Sequence, residues 1–211
     1  MVEKQDALIG LLKEKYNNGD PSHDFSHVMR VVESCKKIGK EVGADLDILI
    51  PGALLHDVVN VPKNHPDRVQ ASRLAADQAS LILKELNYTE EQISKIAIVI
   101  VEHSYSRGLK ASCIESAVLQ DADRLDAIGA IGTMRAVTCG SKLGSSYYDR
   151  NDPFAKGRVL NDKNFILDHF FTKLFKLGEG FNTEPAKIEG LKRIQFMKDF
   201  ANQLAQEIGQ K

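Results

Sequence analysis

The chain has 211 residues, of which 43% are hydrophobic and 27% are charged. This composition is typical of a globular domain with a core, and it excludes disordered, collagen-like and coiled-coil chains. Its 28 basic and 29 acidic side chains give a formal net charge of −1, which argues against a long nucleic acid as the partner. We therefore expect a single domain spanning residues 1–211.

Cysteine spacing and hydropathy predict the compartment. Cys35, Cys113 and Cys139 are widely separated and form no CxxC pair, so they are expected to be reduced thiols in a cytoplasm. The first residues lack the basic start and the apolar run of a signal peptide. The most apolar stretch, residues 96–101, is far shorter than the roughly 20 residues that span a bilayer. A cytoplasmic protein outside the membrane is expected.

Apolar residues recur at helical spacing almost everywhere, as at Val28, Val31 and Val32, and no convincing strand alternation is found. The sequence therefore predicts an all-α, single-domain helical bundle with additional C-terminal helices. Pro51 either kinks the third predicted helix or begins it. The predicted helices cover residues 3–17, 22–42, 46–59, 67–86, 90–103, 112–139, 162–177 and 184–208.

Helix ends and one long loop are also legible. Gly43 and Asn87 are expected to end helices, and residues 89–92 have the form of a capping box. Residues 140–161 carry no period and many turn-forming residues, so a long loop is predicted there. Such a loop is either a lid over a site or a mobile excursion.

A histidine and an aspartate stand side by side in an otherwise apolar segment. His56 and Asp57 follow Gly-Ala-Leu-Leu and precede Val-Val. A buried carboxylate without a partner costs several kcal/mol or becomes neutral. The pair therefore indicates a hydrogen-bond network or a metal ion, unless both side chains point outward or pair only with each other.

Two further polar groups lie on predicted helices. His23 and His27 are four residues apart, hence on one helical face, although such a pair is often only a capping or surface feature. Residues 121–126 place three aspartates along a mostly apolar helix. These could equally form a solvated face with Arg124 as the counter-charge.

The order of these groups resembles the HD-domain superfamily of metal-dependent phosphohydrolases, which are all-helical proteins with ligands from separate helices. The resemblance covers roughly residues 20–132 and is nearest to the small stand-alone bacterial branch. That branch's pattern SHDxxHxxRV is matched at residues 22–31, PKNHP at residues 62–66, and DADRLDAIGAIG at residues 121–132.

The resemblance implies that one divalent metal ion is held by His27, His56, Asp57 and Asp123. Two imidazoles and two carboxylates suit Mn²⁺, Fe²⁺, Co²⁺, Ni²⁺ or Zn²⁺ better than Mg²⁺. The ion would activate a water and neutralise phosphoryl charge. Asp121 falls about 200° from Asp123 around a helix, so both cannot easily bind one ion. Asp123 is the favoured ligand, with Asp121 as the alternative or as a supporting residue.

His103 ends a predicted helix, where a histidine usually only interacts favourably with the helix dipole. In the resembling branch this histidine faces the site and could hold a phosphate or donate a proton, so Asp57 and His103 are the candidate catalytic residues. The cyclic-dinucleotide phosphodiesterase branch uses extra histidines for a second metal. His65 and His103 make that conceivable here, although one metal is favoured.

Lys63 and His65 lie in a Pro-flanked loop after the dyad, where they could bind a substrate phosphate or be ordinary loop polarity. Alarmone hydrolases of the superfamily carry acidic residues shortly after the dyad. Residues 59–61 are Val-Asn-Val, which argues against alarmone hydrolysis.

The favoured function is hydrolysis of a phosphate ester or anhydride bond in a small molecule, with a nucleotide favoured by family habit and by Lys63. Two other classes remain open. One is a non-catalytic helical binding module that keeps the ligands for stability, and the other is a di-iron oxygenase on the same fold. Counting bound metal ions separates the oxygenase from the hydrolase.

Overall fold

The protein is helical throughout the part of the chain that the structure describes. Among the described residues no β-strand occurs, and the only β-bridge is an isolated parallel one between Ser146 and Phe165. The predicted all-α class is confirmed. None of the described helices combines the length and the apolar character that a membrane crossing requires. The computed structural model describes residues 2–15, 24–59, 61, 69–104 and 107–210.

The chain forms two compact units, residues 1–123 and residues 124–211, so the single domain stays a prediction. The first unit contains α1 (Val2–Lys15), α2 (Phe25–Val42), α3 (Leu46–Leu55), α4 (Ala71–Glu85), α5 (Glu90–Glu102) and most of α6 (Ile114–Asp126). The second contains α7 (Gly129–Lys142), α8 (Ile166–His169), a π-helical turn (Phe170–Leu174), a 3₁₀ turn (Phe175–Glu179) and α9 (Glu184–Glu207).

Helix α3 is the central helix of the first unit. Its residues 48–55 are all buried, and it packs against α1, α2, α4 and α5. Gly52 allows α5 to approach closely, because a Cβ there would lie 3.1 Å from Val99 Cγ1. Pro51 lies inside α3 and does not begin it. This apolar helix carries the His56–Asp57 dyad at its end.

The helix ends follow local chemistry, as predicted. Gly43 and Asn87 adopt positive φ angles of 73° and 57°, the left-handed conformation that ends a helix. Thr89 and Gln92 form the reciprocal capping box at the start of α5. These predictions are confirmed.

The predicted single helix over residues 112–139 is wrong. The chain breaks into α6 and α7 at residues 127–128, and Gly129 has a φ of 77°. A Cβ at Gly129 would lie 3.0 Å from Arg193 Cγ, so the position requires glycine for space as well as for conformation. Apolar spacing continues through the break, which is why periodicity did not reveal it.

Four other boundaries differ from the prediction. Helix α3 ends at Leu55 and not at residue 59, so the dyad lies in the following turn. Helix α7 extends to Lys142, so the long loop covers residues 143–165 and not residues 140–161. The predicted helix 162–177 is replaced by α8 and the two turns after it. Helix α2 begins at Phe25, and the predicted start at residue 22 lies outside the described residues.

The long loop is organised by aspartates. Asp152 accepts the backbone N–H groups of Lys156 and Gly157 at 2.9 and 2.7 Å. The Arg158 guanidinium donates two hydrogen bonds to the buried Asp168 carboxylate, at 2.5 and 2.8 Å. These contacts tie the loop to α8, and its role as a lid stays a prediction.

Candidate metal centre

Four segments of the first unit bring their histidines and carboxylates together. His27 lies in the first turn of α2, the dyad lies directly after α3, and His103 lies at the end of α5. Asp123 belongs to α6. The predicted metal ligands therefore come from three separate segments, and His103 lies beside them in a fourth. These ligands are His27, His56, Asp57 and Asp123.

Asp57 is the common neighbour of the three histidines. Its Oδ2 lies 3.9 Å from His27 Nε2 and 3.6 Å from His56 Nε2. Its Oδ1 lies 3.7 Å from His103 Nε2. One carboxylate thus presents different oxygens to different histidines, while a quarter of its side chain, 26%, stays exposed.

His56 is held in one orientation by its own turn. Its Nδ1 lies 2.7 Å from the Ala53 carbonyl oxygen, which favours the tautomer with the hydrogen on Nδ1 and the lone pair on Nε2. Among the described residues, the buried Nε2 has no hydrogen-bond partner. Burial lowers the pKa of His56, and nearby Asp57 only partly opposes this. The result is a neutral imidazole whose Nε2 lone pair accepts no hydrogen bond from the described residues, the form that binds a metal.

His103 is also oriented by a backbone carbonyl, but its pKa is raised whereas that of His56 is lowered. Its Nδ1 lies 2.6 Å from the Ile100 carbonyl oxygen. Burial alone would lower the pKa of His103, but the Asp57 carboxylate, 3.7 Å from Nε2, outweighs it and raises the pKa. Its ring stands almost perpendicular to that of His56, with centroids 5.1 Å apart. His103 is thus more inclined than His56 to carry a proton.

The donor atoms lie close to the spacing that one metal ion requires. Nitrogen and oxygen ligands bound at about 2.1 Å lie about 3.0 to 4.2 Å from one another around an octahedral ion. One donor atom each from His27, His56 and Asp57 lies within 4.8 Å of the others. Small side-chain adjustments would allow these three residues to hold one ion, and the buried His56 Nε2 lies only 3.6 Å from the Asp57 carboxylate. The residues fit a divalent metal.

The position of Asp123 favours it over Asp121. Asp123 Oδ1 lies 3.5 Å from His27 Nε2, at the edge of the three-residue group, and its side chain is 30% exposed. Asp121 is completely buried two residues earlier on α6. Asp123 is therefore the aspartate that lies beside His27 and is partly exposed, and its role as a ligand stays a prediction.

Some predicted residues cannot be placed, and some functional atoms were missed. His23, Lys63 and His65 lie outside the described residues. The Ala53 and Ile100 carbonyls, which orient two imidazoles, were not identified from the sequence. Each stands three residues before its histidine, and that spacing at a helix end is the signal that could have found them.

Comparison with known proteins identifies the class. Residues 24–128 match the family model of the HD domain. An uncharacterized protein of Bacillus subtilis (strain 168), YpgQ, is 35% identical over 190 residues, covering 88% of this chain and 84% of that protein. The chain belongs to the HD domain family, and the predicted resemblance is confirmed.

Two solved structures of similar proteins match almost the whole chain. The crystal structure of Bacillus subtilis YpgQ in complex with ADP superposes with a TM-score of 0.78 and 29% identity, covering 99% of this chain and 96% of that one. An HD-superfamily hydrolase from Bacillus thuringiensis gives a TM-score of 0.77 and 30% identity, with 98% and 97% covered. The chain thus shares its fold with YpgQ and with an HD-superfamily hydrolase of similar length.

Proposed function

We propose that this protein is a metal-dependent phosphohydrolase that cleaves a phosphate ester or anhydride bond of a nucleotide. The observation that carries the proposal is the buried His56 Nε2, which has no hydrogen-bond partner among the described residues and lies 3.6 Å from the Asp57 carboxylate. A lone pair desolvated in this way costs free energy unless something binds it. A divalent cation satisfies it and the neighbouring carboxylate together.

Each residue of the site has a proposed task. His27, His56, Asp57 and Asp123 hold the ion. When bound, a divalent ion supplies a water of lowered pKa and compensates phosphoryl charge. Because Asp57 and Asp123 are partly exposed whereas His27 and His56 are buried, the carboxylates face the entering substrate.

His103 is the proposed proton carrier. Its Nδ1 is occupied by the Ile100 carbonyl, so only Nε2 can exchange a proton with the substrate. Asp57 beside Nε2 favours the protonated ring. In that form Nε2–H donates to a phosphoryl oxygen or to the leaving oxygen, which develops negative charge as its bond to phosphorus breaks.

A nucleotide is the proposed substrate for two reasons. The YpgQ of Bacillus subtilis, a relative over nearly the whole chain, crystallises with ADP. Lys63 and His65, from the loop after the dyad, are proposed to bind phosphates that do not react. An ammonium and an imidazole suit a polyphosphate better than a neutral substrate.

The test combines metal counting with product analysis. Protein stripped by a chelator and reloaded with Mn²⁺ is expected to hold about one ion per chain, since four mixed ligands define one site. It should release phosphate or pyrophosphate from at least one member of a panel of nucleoside mono-, di- and triphosphates. The His27→Ala variant should lose both properties, whereas His169→Gln, in the second unit, should keep them.

Other outcomes identify the competing classes. Bound Mn²⁺, Co²⁺, Ni²⁺ or Zn²⁺ without turnover of any phosphate compound would support a non-catalytic binding module. Two irons per chain and oxygen consumption would support the oxygenase. A protein that stays free of metal in excess Mn²⁺ would refute the metal centre itself.

A further inference from the structure

Gln120 of α6 joins two segments of the first unit that the sequence separates. Its side chain is 8% exposed. Its Nε2 donates hydrogen bonds to the carbonyl oxygens of Glu102 and Leu109, at 2.8 and 3.0 Å. Glu102 is the last residue of α5, and Leu109 belongs to the segment that leads from α5 to α6. One amide group therefore binds the end of α5, the connecting segment and α6 together.

The carbonyl of Glu102 needs such a donor. The last four carbonyl groups of a helix have no partner within the helix and require water or another group. Gln120 Nε2 supplies such a donor at 2.8 Å, whereas the neighbouring bond from the His103 N–H to the Ile100 carbonyl is 3.4 Å, which is long for a hydrogen bond. The Gln120 amide is thus the short contact at the point where α5 ends and His103 begins.

Gln120 also lies on the helix that carries Asp123, one of the proposed metal ligands. Asp123 follows it by three residues, and residues with this spacing lie on the same side of a helix. The amide therefore connects the helix that carries Asp123 to the residue directly preceding His103. The proposed reaction itself assigns no task to the Gln120 amide.

We propose that Gln120 is a positioning residue that holds His103 at its place beside the metal ligands on α2, α3 and α6. This inference rests on the proposed function, because it assigns His103 the proton-carrying task. Gln120 bonds to the last carbonyl of α5 and to the segment after it, so the proposed effect passes through the end of α5 and not through the ion.

Two substitutions remove the donor and keep the shape. Gln120→Met has a similar length without polar atoms, and Gln120→Glu places a carboxylate against two carbonyl oxygens. Each should lower kcat for the nucleotide found in the substrate screen by about tenfold or more, because misplacement of a catalytic group by about 1 Å is costly. Mn²⁺ affinity should change by less than about threefold, since the ligands keep their own supports.

The control removes a buried hydrogen bond of similar value elsewhere. Thr133 Oγ1 donates to the Gly129 carbonyl at 3.0 Å within α7 and is equally buried. Thr133→Val should lose a comparable amount of stability, about 1 kcal/mol, and keep kcat. A loss of kcat in both variants would show a general effect of stability and would overturn the proposal.

A double-mutant cycle identifies the residue through which Gln120 acts. In the His103→Ala background, Gln120→Met should change kcat by less than about twofold, because the group that it positions is already absent. An undiminished tenfold effect in that background would overturn the proposal.

A readout without turnover keeps the inference separate from the proposed function. Amide hydrogen exchange at His103 and residues 107–113 should accelerate in Gln120→Met, while exchange in α2 and α3 stays unchanged. If the parent hydrolyses no nucleotide, the proposed function fails, and the catalytic role assigned here fails with it. Unchanged exchange at His103 would overturn the positioning contact alone.

Discussion

Asp24 begins α2 by accepting the backbone N–H of His27 through its Oδ1 at 2.8 Å. The residue that caps the helix is thus bonded to the residue that supplies its buried imidazole. A cap of this kind fixes where the first turn starts, and so it fixes the direction in which the side chains of that turn leave the helix. The same hydrogen bond therefore sets the start of α2 and the position of one proposed ligand, His27.

The cap predicts a linked loss of stability and metal affinity. Asp24→Ala should lower the free energy of unfolding by about 1 kcal/mol, the usual value of an N-cap, and should weaken Mn²⁺ binding several-fold. Asp24→Asn keeps an accepting oxygen and should retain most of both. Urea unfolding and calorimetric titration with Mn²⁺ measure the two effects. Full Mn²⁺ affinity in a destabilised Asp24→Ala protein would show that the cap and the ligand are independent.

Asp57→Asn separates metal binding from folding. The amide keeps the shape but removes the negative charge that faces the proposed ion, so Mn²⁺ affinity should fall more than tenfold, and hydrolysis by orders of magnitude. Folding should survive, because the carboxylate is partly exposed and losing its charge leaves no buried ion. Circular dichroism, metal analysis and turnover are compared with the exposed control Asp77→Asn. A folded, metal-poor and fully active variant would contradict the mechanism.

The substrate loop is predicted to affect binding more than chemistry. Lys63→Ala and His65→Ala should raise KM for the nucleotide found in the screen, by about tenfold for the lysine, and change kcat little, because the phosphates that they bind do not react. Steady-state kinetics separates the two constants. Lys84→Ala, on the exposed face of α4, is the control. If KM stays unchanged in both loop variants, Lys63 and His65 have only ordinary loop polarity.

Gly129 and Gly144 test two causes of glycine dependence. Both have positive φ angles, 77° and 76°, but a Cβ at Gly144 meets no atom within 4 Å, whereas one at Gly129 meets Arg193. Gly144→Ala should therefore cost only the conformational strain, roughly 1–2 kcal/mol. Gly129→Ala should cost measurably more in urea unfolding, because Arg193 also donates to the Leu125 carbonyl at 2.7 Å. Equal costs would mean that Arg193 moves away freely.

We expect Asp168 to make the free energy of unfolding of the second unit fall at acidic pH. Burial would raise the pKa of Asp168, but the Arg158 guanidinium and the Asn161 N–H outweigh it and hold the pKa below its usual range. A carboxyl group with a lowered folded-state pKa stabilises the protein above its unfolded pKa of about 3.9, and this contribution is lost as the pH falls through the folded value.

The measurement is the free energy of unfolding between pH 7 and pH 3. At pH 7, Asp168→Asn should be less stable than the parent by about 2 kcal/mol, since it breaks a paired, buried hydrogen-bonded charge. The difference should shrink below about pH 4, where the parent loses the same interaction. Parallel curves for the two proteins would contradict this origin. Asp149→Asn, which lies 4.0 Å from Arg158, controls for the simple loss of charge.

How far the sequence predicts this molecule depends on the range of the interactions involved. The caps at Gly43 and Thr89 and the dyad were predictable because each is determined by a few neighbouring residues. The break at residues 127–128 was not predicted, because apolar spacing continues through it. Gln120 was not identified, because its partners belong to another helix and a connecting segment.

The two backbone-anchored histidines have a consequence for how the site tolerates change. His56 and His103 each point Nδ1 at a carbonyl three residues earlier, and a main-chain oxygen is present whatever side chain occupies that position. In many metal sites a carboxylate performs this task, and one substitution removes it. Here positions 53 and 100 can drift among residues of similar volume without releasing either imidazole. The orientation of these rings therefore depends on the path of the main chain and not on which side chains occupy positions 53 and 100.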